Sequence, residues 1–468
     1  MKPKKGLALV WITIFILMGN YHVKTTWVKQ LDDINVTTLN MASNTNRFSD
    51  NNSIQLSISK AVKNTLSANQ FDHEITWDGI HLILDESMSF NVSTRLLINN
   101  SNIEFAPKNA SSHVELIIEE ESQLEIYNST LLLNSSIGRS SITFRGGIVA
   151  IVNSILLENG NTAVFVKNSK ISIYNSTFDS AGLEIEESNQ VTISNCNFQK
   201  IKDWGIRAMN SANFSIINNC SFNDIGKIGF VIFNCTEISV KDSRFTNCSE
   251  KCVQIDGEYY FDATNIKIEN SIMQNSGFGI WTIGQNISIL NNSFLNFTFS
   301  GVHVGGRNIT IENNTFNWVQ RGISTPAITE TPHIAETGYQ WCETSISNVT
   351  IQNNSFRNVQ QYGIWINNFE FETLFRIEKN ILIEIKGAAL AFTGNLGGVN
   401  SSIRSWVIGN FVKNANYGIL GSYTVDCPFG LVFSARFQYT SFIRNAFINC
   451  SLNYTSFESD PNNYILND

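Results

Sequence analysis

Two tryptophans and one histidine are the side chains of this 468-residue sequence with the strongest potential to bind a ligand. Trp281, His303 and Trp365 each stand two residues after a glycine, at the same point of a short apolar segment. An indole offers a flat apolar face with one N–H donor, and an imidazole adds a polar group between the two indoles. We therefore predict an exposed aromatic platform on which sugar rings stack, with His303 supplying hydrogen bonds.

Catalytic chemistry has three candidates, His303, Glu184 and Arg207. Histidine is a common general base, and a carboxylate beside a basic group can act in acid–base catalysis. However, His303 has no carboxylate to orient it at the equivalent position of neighbouring repeats. Glu184 and Arg207 fall on adjacent repeats, where opposite charges form cross-strand ion pairs. An ion pair is therefore the expected role of these two residues, and the catalytic residues stay unassigned.

A repeated frame positions these side chains. It reads I-x-x-[Ser/Cys/Asn]-x-Φ, where Φ is a large apolar residue, and it recurs fourteen times between Ile98 and Phe447. The first apolar column is Ile98, Ile126, Ile151, Ile173, Ile193, Ile217, Val240, Ile268, Ile289, Ile311, Ile351, Ile377, Val407 and Phe442. The second is Ile103, Leu131, Leu156, Phe178, Phe198, Phe222, Phe245, Met273, Phe294, Phe316, Phe356, Leu382, Val412 and Phe447. Most steps are about 20 to 30 residues, which is the range of solenoid repeats.

The frame has the pattern of an all-β solenoid. Apolar and polar residues alternate up to the first column, and a second short strand follows each glycine turn. Coils stacked at roughly 4.8 Å would bring equal columns into contact, so we predict a right-handed parallel β-helix of about 14 coils. The polar column would be buried in a turn, where the asparagines from Asn292 to Asn445 would bond one another as a ladder. The serines from Ser101 to Ser176 would form a smaller version of it.

This frame resembles the parallel β-helix repeat of the pectin-lyase-like superfamily, which includes NosD-like proteins and carbohydrate-binding and sugar-hydrolase repeats. The resemblance covers about three quarters of the chain and implies that substrates lie along one sheet. The strand after each glycine turn would then present the outward residues Phe165, Glu184, Arg207, Val231, Gln254, Trp281, His303, Ser324, Trp365, Ala389 and Leu420.

Three functions are compatible with such a rod. The first is an extracellular surface protein that binds polysaccharide or glycan along one sheet, without a cofactor or a metal. The alternative is a polysaccharide lyase or glycoside hydrolase of the same superfamily, and only the lyase would use calcium. A second alternative is a structural surface spacer or adhesin. The net charge of −8, with no basic stripe, gives no reason to expect nucleic acid as a partner.

The N-terminal segment predicts export from the cytoplasm. Lysines precede an apolar run from Leu7 to Met18, which suits a secretory signal peptide or an uncleaved signal anchor. This segment is the only expected contact with a membrane. The protein would therefore be secreted, or held at the cell surface by its N-terminus.

The remaining boundaries follow from periodicity. The predicted domains are residues 1–22 as signal or anchor, 23–52 as a polar tether, 53–92 as an N-terminal cap with a first strand, 93–450 as the β-helix, and 451–468 as a polar tail. The cap would contain a helix from Ser53 to Ala68 and a strand from Ile80 to Leu84, because the open end of a sheet needs a cover. An insertion at 324–345 is either a wall of a ligand groove or a structural cover.

Sequons and cysteines agree with an outward-facing protein. About twenty N-x-[Ser/Thr] sequons occur. The glycosylation candidates are Asn35, Asn91, Asn109, Asn134, Asn296 and Asn308. Cys196 and Cys220 hold the same ladder position in consecutive coils, so they either form a bridge or remain reduced as small ladder residues.

Overall fold

The structure is a computed structural model. It describes residues 55–57, 74–90, 93–134, 138–158, 164–211, 216–257, 263–325, 346–368, 373–394, 403–422, 440–453 and 464–466. Every regular element in these ranges is a β-strand, and every strand pairing within them is parallel. The strands within these ranges form three sheets, which we call A, B and C in chain order.

Sheet A contains the strands that carry the first apolar column. Its separate strands are Glu74–Asp78, Arg95–Asn99, Ser122–Tyr127, Val191–Ser194, Ile216–Asn218, Ser239–Lys241, Thr264–Glu269, Ser347–Gln352, Thr373–Glu378, Ile403–Ile408 and Thr440–Ile443. Two further strands run without a break from sheet C into sheet A, namely Arg139–Val152 and Val164–Tyr174.

Sheet B carries the second apolar column, and sheet C follows the glycine turns. The separate strands of sheet B are Gln55–Ser57, His81–Leu84, Asn102–Phe105, Thr130–Leu133, Ile155–Glu158, Thr177–Asp179, Asn197–Gln199, Ser221–Ile225, Arg244–Cys248, Ser355–Val359 and Tyr464–Leu466. Those of sheet C are Met88–Phe90, His113–Ile118, Leu183–Glu186, Trp204–Met209, Ile228–Phe233, Lys251–Asp256 and Tyr362–Asn368. The strands Ile272–Leu290 and Ser293–Glu312 pass through sheets B, C and A in turn. The strands that pass from B into C are Thr315–Ser324, Ile381–Gly394, Phe411–Ser422 and Ala446–Asn453.

The predicted register is confirmed for both apolar columns. In sheet A, each member of the first column lies opposite the next, from the pair Ile98 and Ile126 to the pair Val407 and Phe442. Sheet B aligns the second column in the same way. All of these side chains are buried, so the core is a set of like-on-like stacks along the axis.

Phenylalanines form the widest of these stacks. Phe178, Phe198, Phe222 and Phe245 lie face to face, with ring centroids 4.5–4.9 Å apart. The rings reach across to the start of sheet C, where a Cβ on Gly205 would meet Phe222 at 2.8 Å and the Gly229 carbonyl at 2.6 Å. Glycine is therefore required where sheet C begins, because the aromatic ring of the next coil fills the space.

The asparagine ladder at the corner between sheets A and B is confirmed. Asn314 donates through Nδ2 to Oδ1 of Asn354 at 3.0 Å and to the carbonyl of Ile289 in the preceding coil at 2.9 Å. The Asn354 oxygen also accepts the backbone N–H of Asn314 at 2.9 Å. The same amide-to-amide bond joins each successive pair from Asn292 to Asn445.

The serine part of this column works differently from the predicted smaller ladder. The hydroxyl of Ser129 accepts the backbone N–H of Ser101 at 3.1 Å and donates to the carbonyl of Tyr127 at 2.6 Å. A hydroxyl is too short to reach its equivalent in the next coil, so serines link coils through the backbone. Cys196 and Cys220 continue the column as free, buried thiols in contact, and this contact and burial raise the pKa of Cys220.

The N-terminal boundary differs from the prediction. Gln55–Ser57 is a strand paired with His81–Leu84, where a helix was predicted, and the rest of the predicted helix lies outside the described residues. Glu74–Asp78 precedes the predicted first strand and pairs with Arg95–Asn99 in sheet A. Strands of all three sheets therefore occur before residue 93, because apolar residues such as Leu82 and Leu84 already alternate with polar ones.

The C-terminal boundary also differs. Tyr464–Leu466 pairs with Ala446–Ile448, so part of the predicted polar tail joins sheet B. The predicted number of coils stays a prediction, because several connecting loops lie outside the described ranges. The signal segment, the tether and residues 326–345 of the insertion are also outside them. No helix within the described part of the chain has the length and apolar composition to cross a membrane.

Candidate binding face on sheet C

Sheet C presents two outward rows that run along the axis, in register from coil to coil. The outer row is Phe165, Glu184, Arg207, Val231, Gln254, Trp281, His303, Ser324, Trp365, Ala391 and Leu420. The prediction of Ala389 in this row was wrong by two residues. Ala389 is buried and occupies the place that glycine holds in other coils, so the outward position falls on Ala391.

The second row stands three residues earlier and was missed by the sequence analysis. This inner row is Trp204, Ile228, Lys251, Phe278, Ser300, Arg321, Tyr362, Ala388 and Tyr417. It contains two cations and four aromatic residues beside the outer row. The signal was available in the sequence, because an aromatic or basic residue recurs three positions before Arg207, Gln254, Trp281, Ser324 and Trp365.

Trp281 and His303 are brought together, but they are not exposed as predicted. Their rings stack with centroids 4.0 Å apart and an interplanar angle of 27°. Trp281 keeps only 9% of its surface exposed and His303 none. Phe278 of the inner row contacts both rings edge-on, with centroids 5.2 and 5.8 Å away. These neighbours cover Trp281 and His303, while Trp365, three coils along from Trp281, is half-buried.

His303 is a neutral, buried side chain with one of its two ring nitrogens hydrogen-bonded. Its Nδ1 lies 2.9 Å from Oγ of Ser324, which lies 2.8 Å from Oγ of Ser300. Its Nε2 has no hydrogen-bond partner. Burial, with smaller contributions from the nearby charges of Arg321 and Lys251, lowers the pKa of His303 to about 3. A histidine with this pKa is a poor proton acceptor at neutral pH, so a role as general base is disfavoured.

Two cations of the inner row lie over the tryptophans. Lys251 Nζ is 5.2 Å from the ring centre of Trp281 and donates to Oε1 of Gln254 at 3.0 Å. The guanidinium of Arg321 is 4.4 Å from the ring centre of Trp365. Burial lowers the pKa of Lys251. The nearby charges of Glu250 and Asp256 oppose that shift.

Arg321 is also held in place from the side. Its Nε donates to Oε1 of Gln361 at 3.2 Å, and Tyr362 packs beside Trp365 with ring centroids 5.4 Å apart. The arginine, the tyrosine and the tryptophan therefore form one cluster across two adjacent coils. Its planar groups and N–H donors suit a ligand that has both an apolar face and oxygen atoms at its edge.

Glu184 and Arg207 form the cross-strand ion pair expected from their positions. Nη1 of Arg207 lies 3.3 Å from Oε1 of Glu184, and its guanidinium also covers the ring of Trp204 at 4.9 Å. Burial raises the pKa of Glu184, and the charge of Arg207 opposes that shift. Lys227 lies over the same tryptophan and pairs with Asp203 at 2.8 Å. Both cations near Trp204 are thus paired with a carboxylate.

Residues that could hold a metal ion do not come together in the described part of the chain. No three side chains of histidine, cysteine, aspartate or glutamate converge there. Of the glycosylation candidates, Asn35 and Asn91 lie outside the described residues. Asn109, Asn296 and Asn308 are exposed, and the last two donate through Nδ2 to the asparagine of the preceding coil at 2.9 and 3.0 Å.

Comparison with known proteins identifies the fold. The family model described as "Right handed beta helix region" matches residues 115–260 and 254–430. Among curated proteins, no sequence matches this chain. Similar solved structures include the catalytic unit of a GH87 alpha-1,3-glucanase from Streptomyces thermodiastaticus, at 11% identity and a TM-score of 0.39, covering 86% of this chain and 67% of that one.

Two other solved structures belong to different kinds of protein. A mutant tailspike of E. coli bacteriophage HK620, in complex with a pentasaccharide, is 11% identical with a TM-score of 0.41, covering 87% of this chain and 73% of the tailspike. PfbA, a surface adhesin of Streptococcus pneumoniae, is 15% identical with a TM-score of 0.29, covering 81% and 83%. At TM-scores below 0.5, these similarities do not identify an activity or a substrate for this chain.

Proposed function

The chain belongs to the right-handed β-helix family, and we propose that it is an extracellular protein that binds polysaccharide on the outward face of sheet C. The supporting observation is the cluster of Arg321, Tyr362 and Trp365, together with Lys251 above Trp281 on the preceding coils. Sugar rings have an apolar face and a rim of hydroxyl or carboxylate oxygens. The cluster offers aromatic surface for the apolar face and N–H donors for the oxygen atoms.

Binding is a better interpretation than catalysis for this face. His303 has a pKa of about 3 and no exposed surface, which suits a rigid support beneath Trp281 better than a proton acceptor. Glu184 and Arg207 neutralise each other. A lyase or hydrolase remains the alternative, and it predicts product formation from a bound polysaccharide. A structural spacer is the second alternative, and it predicts no binding.

Affinity electrophoresis in native gels tests this proposal. The gels contain polygalacturonate, alginate, galactomannan or xyloglucan, two acidic and two neutral chains. We expect at least one of them to retard the protein. Trp365→Ala should then weaken the binding at least tenfold, which corresponds to about 1.4 kcal/mol, with little change in melting temperature. Trp406→Ala is the matched control, because Trp406 is 41% exposed on sheet A, away from the proposed face.

Each alternative gives a different result. Accumulation of reducing ends or of unsaturated products that absorb at 235 nm would favour the enzyme. A Trp365→Ala protein that binds normally but melts at a lower temperature would show that the cluster is packing. Absence of retardation in all four gels would favour the spacer.

A further inference from the structure

The turn from sheet B to sheet C, which we call the B–C corner, contains one residue that its backbone does not favour. Successive coils place Asn247, Asn275 and Asn296 at one left-handed position of this turn, and the next coil places Trp318 there with a φ of 55°. In the described ranges, Trp318 is the only hydrophobic residue among the non-glycine residues with positive φ. Asparagine tolerates this conformation, whereas a bulky ring is strained in it. The turn itself therefore does not select tryptophan.

The hydrogen bonds of the neighbouring asparagines differ on the two sides of Trp318. Asn296 donates through Nδ2 to Oδ1 of Asn275 at 2.9 Å, as elsewhere in this column. One coil beyond Trp318, Asn358 donates instead to Oδ1 of Asn317 at 3.0 Å. The residue before Trp318 thus takes over as the acceptor of the column. The corner keeps its link to the next coil while the indole stays outside the ladder.

The corner also exposes apolar surface. Trp318 is 53% exposed, and Phe299 on the preceding coil is 49% exposed. Phe299 lies in a bulge between Phe297 and Ser300 and stacks on Phe278, with ring centroids 5.1 Å apart. Because Phe278 belongs to the inner row of sheet C, the exposed rings continue the aromatic surface of the binding face around the corner. The exposed parts of these two rings do not contribute to the folded core. Exposed apolar surface of this kind favours a role in binding.

We propose that Trp318 and Phe299 form a second sugar-stacking subsite, so that a bound polysaccharide runs from the face of sheet C over the B–C corner. This inference rests on the proposed function, because it extends the same ligand. The apolar side of a pyranose would pack on the indole, while the amide of Asn358 bonds hydroxyls at its edge. Two rings between columns of amides provide far less than the roughly 800 Å² per partner of a stable protein interface, so a protein partner fits less well.

The same polysaccharide gels test this subsite with Trp318→Asn. Asparagine restores the residue type of the column, so the variant should fold. For the polysaccharide that retards the wild-type protein, we expect Trp318→Asn to raise the dissociation constant at least fivefold without lowering the melting temperature. Trp406→Ala, which removes a similarly exposed indole from sheet A, should stay within twofold of wild type.

The outcomes separate the two proposals. If Trp365→Ala weakens binding and Trp318→Asn does not, the corner subsite is wrong and the proposed function stands. If the wild-type protein binds none of the four polysaccharides, both are overturned. If Trp318→Asn loses binding and also melts at a lower temperature, Trp318→Tyr decides. Restored binding with this aromatic replacement supports stacking, and unrestored binding overturns it.

Discussion

At the scale of single residues, His303 shows how burial changes the chemistry of a side chain. An imidazole between two tryptophans was expected to meet a ligand directly, yet it lies beneath Trp281 and bonds Ser324. Its neutral form is enforced by burial and by the two flanking cations, Arg321 and Lys251. We therefore assign His303 a supporting role, in which it holds the indole flat against the sheet.

This burial predicts a pH dependence of stability. The pKa of His303 is about 3 in the folded protein, whereas a histidine in the unfolded chain has a pKa near 6.5. Between these values only the unfolded state binds the proton, so the free energy of unfolding falls as the pH is lowered. The loss from this group should be about 1.4 kcal/mol per pH unit, and none should occur above pH 7.

Urea unfolding from pH 7 to pH 4 measures this effect. His303→Phe, which keeps an aromatic ring against Trp281, should show a shallower decline than the wild-type protein. His113→Phe, which replaces an exposed histidine on the same sheet, is the matched control for the loss of a histidine. Equal slopes for wild type and His303→Phe would mean that the imidazole can be protonated within the fold.

At the scale of the coil, the asparagine ladder restricts the residue type at a buried position more than the apolar columns do. Asn314→Leu should lower the free energy of unfolding by about 1–3 kcal/mol, because the buried N–H groups of Asn292 lose their acceptor. Asn102→Leu replaces an exposed strand asparagine and should have a much smaller effect. Denaturant unfolding of both variants gives the comparison, and similar losses would contradict the ladder as a stabilising element.

The coil is also the scale at which the sequence was most informative. The fixed five-residue spacing between the columns set the register of sheets A and B, because a one-residue slip would turn every apolar side chain outward. The prediction of the outer row of sheet C was wrong only at Ala389. There, alanine occupies the position at which other coils have the glycine that marks the start of the strand. Alternation predicts that Trp281 points outward, but it does not show that Phe278 and Lys251 cover it. Exposure depends on neighbours in other coils.

At the scale of the whole molecule, charge is unevenly distributed. The chain carries a net charge of −8, yet the inner row of sheet C places Lys251 and Arg321 close to the two tryptophans. Coil stacking produces this arrangement, because residues about 70 positions apart in the chain are separated by only three coils. Such a rod can collect a binding surface from many repeats while each repeat contacts only its neighbours.

The N-terminal sequence predicts where this rod is located. If residues 1–22 act as an uncleaved anchor, protease added outside intact cells should cut within the predicted tether, residues 23–52, and release the rod. The paired strands from Glu74 onward should resist cleavage, because their backbone is engaged in sheets on both sides. Mass spectrometry of the released fragment would locate the cut, and permeabilised cells provide the control. A cleaved signal peptide would instead place the intact rod in the medium before protease is added. Protection in intact cells combined with cleavage after permeabilisation would place the protein inside the cell and contradict an extracellular role.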